Sequence, residues 1–276
     1  MKQNPFSLYD FLGYFIPGTT LIYVVYIINT CKSLSKVTFT TIIDSFPKLQ
    51  FEGIIFIMIL GYLIGHVFSY LSSITVEKYA VWRYGYPSRY LLDMKIPRYF
   101  EHFKTVKGCF WGIIMIIVLL PTMILDLLLG NLLGFKSFYT KKLDDVLCII
   151  VKAKVNKLTE LLGISSVKGL PEKYAEATDF FRIVQHYTYD NSKNHQNKFT
   201  NYVALYGFLR TLTLIFNLIF WYLIVHLFFV ELTTVLFILI LSISLSAYVL
   251  FMAFMKFYRR YTLEGFMVLV SDKEVK

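Results

Sequence analysis

Apolar residues in this chain run in long, nearly uninterrupted blocks separated by basic and aromatic stretches. Five blocks stand out: Phe11–Asn29, Gly53–Ile74, Phe110–Gly134, Tyr206–Val230 and Leu232–Met255. A helix needs roughly 20 mainly apolar residues to cross about 30 Å of hydrocarbon, and several of these blocks reach that length. The pattern predicts an all-α integral membrane protein. The middle block differs from the rest. Pro121 divides it into two legs, each too short to span at about 1.5 Å per residue. Proline removes a backbone donor and kinks a helix. Asp126 costs roughly 2.5–3.5 kcal/mol at a bilayer centre and much less near an interface. The expectation is a re-entrant or in-plane hydrophobic hairpin with Pro121 as its bend and Asp126 as its polar tip. The alternative is a fifth, kinked span with Asp126 paired to a buried partner.

Charge placement favours the first layout. Of the 28 Lys and Arg residues, seven lie between the second and middle blocks and eleven between the middle and fourth. If all five blocks crossed, these two groups would fall on opposite sides. If the middle block turns back, 24 basic residues share one side with both termini and 3 lie on the other, with Arg210 near the inner end of its helix. The positive-inside rule prefers this division, although it weakens over long connections. The predicted architecture is four transmembrane helices as two hairpins, with a small helical cytoplasmic domain. Residues 1–76 form the N-terminal transmembrane hairpin and 77–109 a basic aromatic cytoplasmic segment. Residues 110–134 dip into the membrane, 135–204 are helical and cytoplasmic, 205–256 form the C-terminal transmembrane hairpin, and 257–276 are a cytoplasmic tail. Cys31 would then lie outside, and Cys109 and Cys148 inside.

Each span carries its own signals. Asn4-Pro5 opens the first, Ile16-Pro17-Gly18 kinks it, and no small-residue cleavage pattern marks it for removal. The second carries Gly61 and Gly65, continued at the same spacing by Ser69 and Ser73, a face that lets another helix approach closely within the monomer or between copies. His66 follows directly and reads as an interhelical donor or, functionally, as a membrane-embedded group. The last two spans form a tight hairpin through Val230-Glu231, with His226 and Glu231 as an interfacial pair. Arg210 can extend its stem to the headgroups. Ser242, Ser244, Ser246 and Ala247 make the last span another close-packing helix.

Between the hairpins, Tyr84-Gly85-Tyr86-Pro87-Ser88-Arg89 reads as a turn that opens a helix. Leu143–Leu162 fits an amphipathic helix with Leu143, Val146, Leu147, Ile150 and Lys154 on one side, shading into Leu158 and Leu161. Pro171 starts a further helix, and the polar run Tyr189–Asn201 reads as a flexible connector. Arg83, Arg89, Arg98, Arg259 and Arg260 are the expected contacts to anionic lipid or to a partner.

Composition narrows the class. The chain is 57% hydrophobic and 17% charged, with mean hydropathy +0.58, whereas soluble domains carry about 25% charged residues. The net charge of +10 flanks apolar blocks, so it points to an anionic membrane surface rather than to nucleic acid. The three cysteines are widely spaced and form no CxxC pair, which indicates neither a disulfide framework nor a zinc site. No phosphate-binding, dinucleotide-binding, zinc-protease or nucleophile-elbow motif occurs, and no cofactor is expected.

The segments Gly13–Gly18 (GYFIPG), Gly61–His66 (GYLIGH), Tyr84–Ser88 (YGYPS) and Tyr206–Arg210 (YGFLR) resemble, in order, a group of small bacterial multi-pass membrane proteins, some of them similar to partners of anti-phage systems. The resemblance covers short pieces and transfers no functional residue. It implies a bacterial inner-membrane location and a role in defence. The leading expectation is an oligomeric membrane-perturbing or pore-forming effector, a form of ion channel, controlled through its cytoplasmic helices. The alternatives are a membrane anchor for a cytoplasmic protein partner and an inner-leaflet lipid enzyme using Asp126, His102 or Glu101.

Overall fold

A computed structural model of the chain describes residues 8–30, 40, 51–96, 99–164, 180–230 and 232–275. Asn4-Pro5, Cys31, Arg98, the helix from Pro171 and Glu231 lie outside the described residues.

Among the described residues every regular element is helical. Helix α1 (Ile16–Thr30) is entered through a π turn at Phe11–Phe15. Helix α2 (Phe51–Ser72) passes through a π turn at Ser73–Glu77 into α3 (Lys78–Tyr84). Gly85 breaks the run, and Pro87 opens α4 (Pro87–Leu91), as the turn chemistry predicts. Helix α5 (Val106–Val118) is followed by α6 (Leu120–Leu125), which continues as a π turn over Asp126–Leu132. Helices α7 (Asp145–Leu161) and α8 (Phe180–Asn191) precede the two longest elements, α9 (Gln196–Phe229) and α10 (Thr234–Ser271).

Among the described residues four helical runs are long and apolar enough to cross a membrane: 11–29, 51–91, 193–229 and 234–271. Only 17% of the most apolar window is buried in the first two, and 33% in the last two. Phe51, Phe56, Ile59, Leu63 and Phe237 all expose their side chains. Apolar surface on this scale needs an apolar surrounding.

Helix α9 has 34 residues and α10 has 38, which gives about 51 and 57 Å at 1.5 Å per residue. Both exceed the hydrocarbon thickness. One end of the bundle carries the connection from Phe229 to Thr234, where Leu223, Leu236 and Ile240 pack with Ile28. The other end, called the base here, carries most of the core. There Tyr79, Leu91, Tyr139, Val155, Phe180 and Phe266 join one buried cluster.

Steps of four residues drift round a helix of 3.6 residues per turn, so Ser69 and Ser72 continue the buried face, while Ser73 is turned aside and bonds back to Tyr70 O at 2.7 Å. The small-residue face is therefore Gly61, Gly65, Ser69 and Ser72, not Ser73. It packs within the monomer. A Cβ at Gly18 would collide with the Gly61 carbonyl, and one at Gly65 with the Tyr14 carbonyl.

Two expectations for the base are corrected. Tyr189–Asn201 is not a loose connector. It is helical apart from a break at Ser192, and His195 Nδ1 lies 2.7 Å from Glu264 Oε1. In α7 the buried side is Cys148, Val151, Val155 and Leu158, whereas Val146, Ile149, Ile150 and Leu161 are exposed. The apolar residues of that helix form two stripes, and the core takes the one centred on Val151 and Val155.

Candidate functional site

The middle block is broken by 87° between its two legs. The break is local and follows from proline chemistry. Leu119 leaves helical geometry (φ −103°, ψ 16°), and Pro121 sits in the first turn of α6, where its missing N–H is not needed. Proline leaves the carbonyl four residues back without its helical donor. That carbonyl is Ile117 O, and the Trp221 indole N–H of α9 donates to it at 2.8 Å. One residue further on, buried Thr122 and Asn217 are hydrogen-bonded, with Asn217 Nδ2 to Thr122 Oγ1 at 2.8 Å. Asn217 Nδ2 also reaches Thr213 O at 2.7 Å. The elbow thus meets α9 at Asn217 and Trp221, short of its end at Phe229. At 1.5 Å per residue the shortfall is about 12 Å from Trp221.

Past the elbow the chain carries Asp126 into a polar chamber at the base. Asp126 is 0% exposed. Tyr79 donates to Oδ2 at 2.8 Å, Tyr139 donates to Oδ1 at 2.7 Å, and the Tyr84 hydroxyl lies 2.7 and 2.8 Å from the two oxygens. The Arg83 Nε is 3.8 Å from Oδ2. Three hydroxyls and a guanidinium converge on two oxygens, a donor set suited to a carboxylate, which offers only acceptors. Burial, and then the Asp126 carboxylate, push the Tyr139 hydroxyl far above its usual range, so it stays protonated and donates.

The supports come from four elements. Tyr79 and Arg83 share one face of α3, as residues four apart do, and Tyr84 is the last residue of the same helix. Tyr139 follows the short helical turn Phe135–Phe138. Phe251 of α10 packs against both Tyr79 and Tyr139, with ring centroids 5.6 and 6.4 Å away. Gly130 closes the chamber. A Cβ there would lie 2.8 Å from Asp126 Oδ1, 3.1 Å from the Tyr139 hydroxyl and 3.3 Å from that of Tyr248. Asp126 is thus not an exposed polar tip. The fully partnered carboxyl of the kinked-span alternative is what occurs, but in an element bent by 87°.

A second polar cluster lies nearby at the base. Arg210 does not extend toward the surface. Its guanidinium pairs with Glu77, donates from Nε to Ser72 Oγ at 3.1 Å, and from Nη2 to Ser69 O at 3.2 Å. Glu77 is the last residue of the π turn at Ser73–Glu77.

The remaining sequence candidates are dispersed. His66 is exposed and stacks on Tyr14 at 3.7 Å, with Tyr62 edge-on at 4.5 Å. His226 lies near the connection end with Tyr222 at 6.1 Å, and its buried Nδ1 has no hydrogen-bond partner among the described residues. Arg83 turns to Asp126. Arg89 is half-buried on α4. Arg259 donates to Lys141 O at 2.8 Å, and Arg260 is exposed over Phe257 at 5.8 Å. His102 stacks on Trp82 at 4.6 Å, and burial pushes its imidazole down. Glu101 is exposed. Among the described residues no group of three His, Cys, Asp or Glu side chains is placed to hold a metal ion.

Sequence reasoning found Asp126, Pro121 and Arg210 but missed Tyr79, Tyr84, Tyr139, Asn217 and Glu77. Only Tyr139, five residues past the middle block, lay where a buried acid in that block suggests a donor; nothing in the sequence pointed to Tyr79 or Tyr84. Compared with known protein families, curated proteins and solved structures, the chain matches none.

Proposed function

We propose that this chain is a multi-pass protein of a bacterial inner membrane, with four crossing helices and a middle element that enters and leaves from the base. Tertiary pairing supports this layout. Leu143 N–H donates to Leu91 O at 3.0 Å, Cys148 Sγ reaches Leu92 O at 3.3 Å, and Lys142 Nζ lies 3.1 Å from Asp93. Residues before and after the middle block are thereby bonded to one another, and lipid cannot lie between them. The basic groups flanking the block then share the cytoplasmic side with both termini.

Within that frame we read the protein as a membrane-perturbing or pore-forming effector whose bent element moves. The observation that carries this reading is the sealed carboxyl of Asp126 in an otherwise apolar segment. Its bonds hold the element in one arrangement, and losing them leaves a charge and three hydroxyls to find another, which is the requirement for a two-state element. Helices α7 and α8 and the long base ends of α9 and α10 are the control surface. A pore needs several copies. The Gly61 and Gly65 face is already taken by α1, so association uses another surface, and Ser242 and Ser246 on α10 offer one. A defence role agrees with the resemblance noted from the sequence.

Dye release from vesicles tests the reading. Asp126→Ala should release trapped dye faster than the native chain, and removal of Phe110–Gly134 should abolish release. Tight vesicles with both the native chain and Asp126→Ala would refute it. Sidedness has its own test. Cys148 is buried, so an impermeant maleimide should be offered to Cys109 and to a cysteine replacing exposed Val146. Labelling of the two from opposite sides of the membrane would sink the layout. One observation favours the anchor reading instead: α7 exposes Val146, Ile149 and Ile150, a stripe that a cytoplasmic protein would cover. Stoichiometric co-purification with tight vesicles would select it.

A further inference from the structure

Beside the Asp126 chamber, on the outer surface of α3, a lysine is held by two tryptophans. Lys78 Nζ lies 4.0 Å from the Trp111 ring centroid and 5.3 Å from that of Trp82. Cation–ring contacts of this kind orient the ammonium but leave its charge uncompensated. Lys107 lies one turn before Trp111 in the first turn of α5 and acts on Lys78 as a like charge. Among the described residues neither lysine takes part in an ion pair. Glu77, the nearest acid along the chain, is engaged by Arg210. Lys78 rests on the Trp111 ring and Lys107 lies one turn before that ring on the same helix, so two lysines flank Trp111.

The surroundings define what anion fits. A cleft of about 330 Å3 opens at Lys78, lined by Ser73, Glu77, Trp82 and Tyr86. Along the chain on either side of Lys107, Phe100, Val106 and Phe110 are 75%, 91% and 60% exposed, and Lys104 is exposed as well. Apolar rings next to lysines, at the point where the apolar run of α2 gives way to α3, are the composition of the headgroup level.

We propose that Lys78 and Lys107, with Trp82 and Trp111 holding the Lys78 ammonium in place, bind the phosphodiester of one anionic phospholipid, with its acyl chains running along exposed Phe110 and Phe100. The inference rests on the membrane reading above. It places a specific lipid against α3, the helix that supplies Tyr79, Arg83 and Tyr84 to Asp126, so lipid occupancy and the bent element are mechanically joined.

Native mass spectrometry of the detergent-purified full chain tests the site, with dioleoylphosphatidylglycerol, dioleoylphosphatidylcholine and inorganic phosphate as probes. One phosphatidylglycerol should be retained at concentrations where phosphatidylcholine is lost. Lys78→Gln or Lys107→Gln should each weaken retention about fivefold, and the double variant about 30-fold, as expected for roughly one proximal charge each. Lys78→Arg should restore most of it. Equal retention of the two lipids, or no change in the double variant, would overturn the site. Inorganic phosphate binding as tightly as phosphatidylglycerol would overturn the lipid as its occupant. If the double variant still requires detergent for extraction, the membrane reading survives a failure of the lipid site.

Discussion

Two of the contacts between apolar helices in this molecule work by opposite means. Helices α1 and α2 meet through Gly18, Gly61 and Gly65, with backbone against backbone and no polar group required. The bent element α5–α6 is held to its neighbours by directed bonds: Trp221 to Ile117 O, Asn217 to Thr122, and three tyrosines with Arg83 to Asp126. The first contact is intolerant of volume and indifferent to charge. The second tolerates shape but fails when one partner is lost, because a buried polar group is then left unsatisfied. A van der Waals seam between glycines has one arrangement. A polar chamber can be exchanged for another set of partners. That difference is why we propose motion in the bent element and not in the N-terminal pair.

The comparison yields graded predictions. Gly65→Leu should have the largest effect, because the side chain meets the Tyr14 backbone, which cannot yield. A loss above about 4 kcal/mol is expected, read as failure to resist denaturation in detergent. A near-native Gly65→Leu would show that the two helices are not in contact. Asp126→Ala comes next, at about 3–5 kcal/mol, because Arg83 loses its partner inside the protein. Asp126→Asn should lose less, since the amide oxygen still accepts from a tyrosine. If Ala and Asn behave alike in thermal unfolding, hydrogen bonding is not what holds the element. Trp221→Phe should cost about 1–3 kcal/mol by orphaning Ile117 O, and the double variant with Pro121→Ala should recover part of it, because the helix then supplies its own donor. Additive losses would break that link. Lys142→Ala should be the mildest. The pair with Asp93 is exposed, so unfolding should not change measurably and added salt should have no further effect.

Much of the outline was legible in the sequence. The first apolar block coincides with its helical run, and the odd character of the middle block followed from Pro121 and Asp126. Chain ends of helices were not legible. Helix α9 begins ten residues before its apolar block, at Gln196, and α10 continues past Met255 to Ser271, because partners at the base bury Phe199, Tyr261, Phe266 and Leu269. Hydropathy reports where lipid can lie and says little about helices that continue into a protein core. The face of α7 was misjudged for a related reason: two apolar stripes compete in its sequence, and only the surrounding core selects between them.

By itself the sequence determined the class of surroundings each segment needs, since apolar length and lysine placement are properties of the local chain and its energy in oil or water. Which polar groups meet was decided only in three dimensions. Asp126 required donors somewhere, but Tyr79 and Tyr84 lie more than forty residues before it. Arg210 meets Glu77, which lies 133 residues earlier in the chain, only across the fold. A buried charge states its need in one dimension, and the fold supplies the partner.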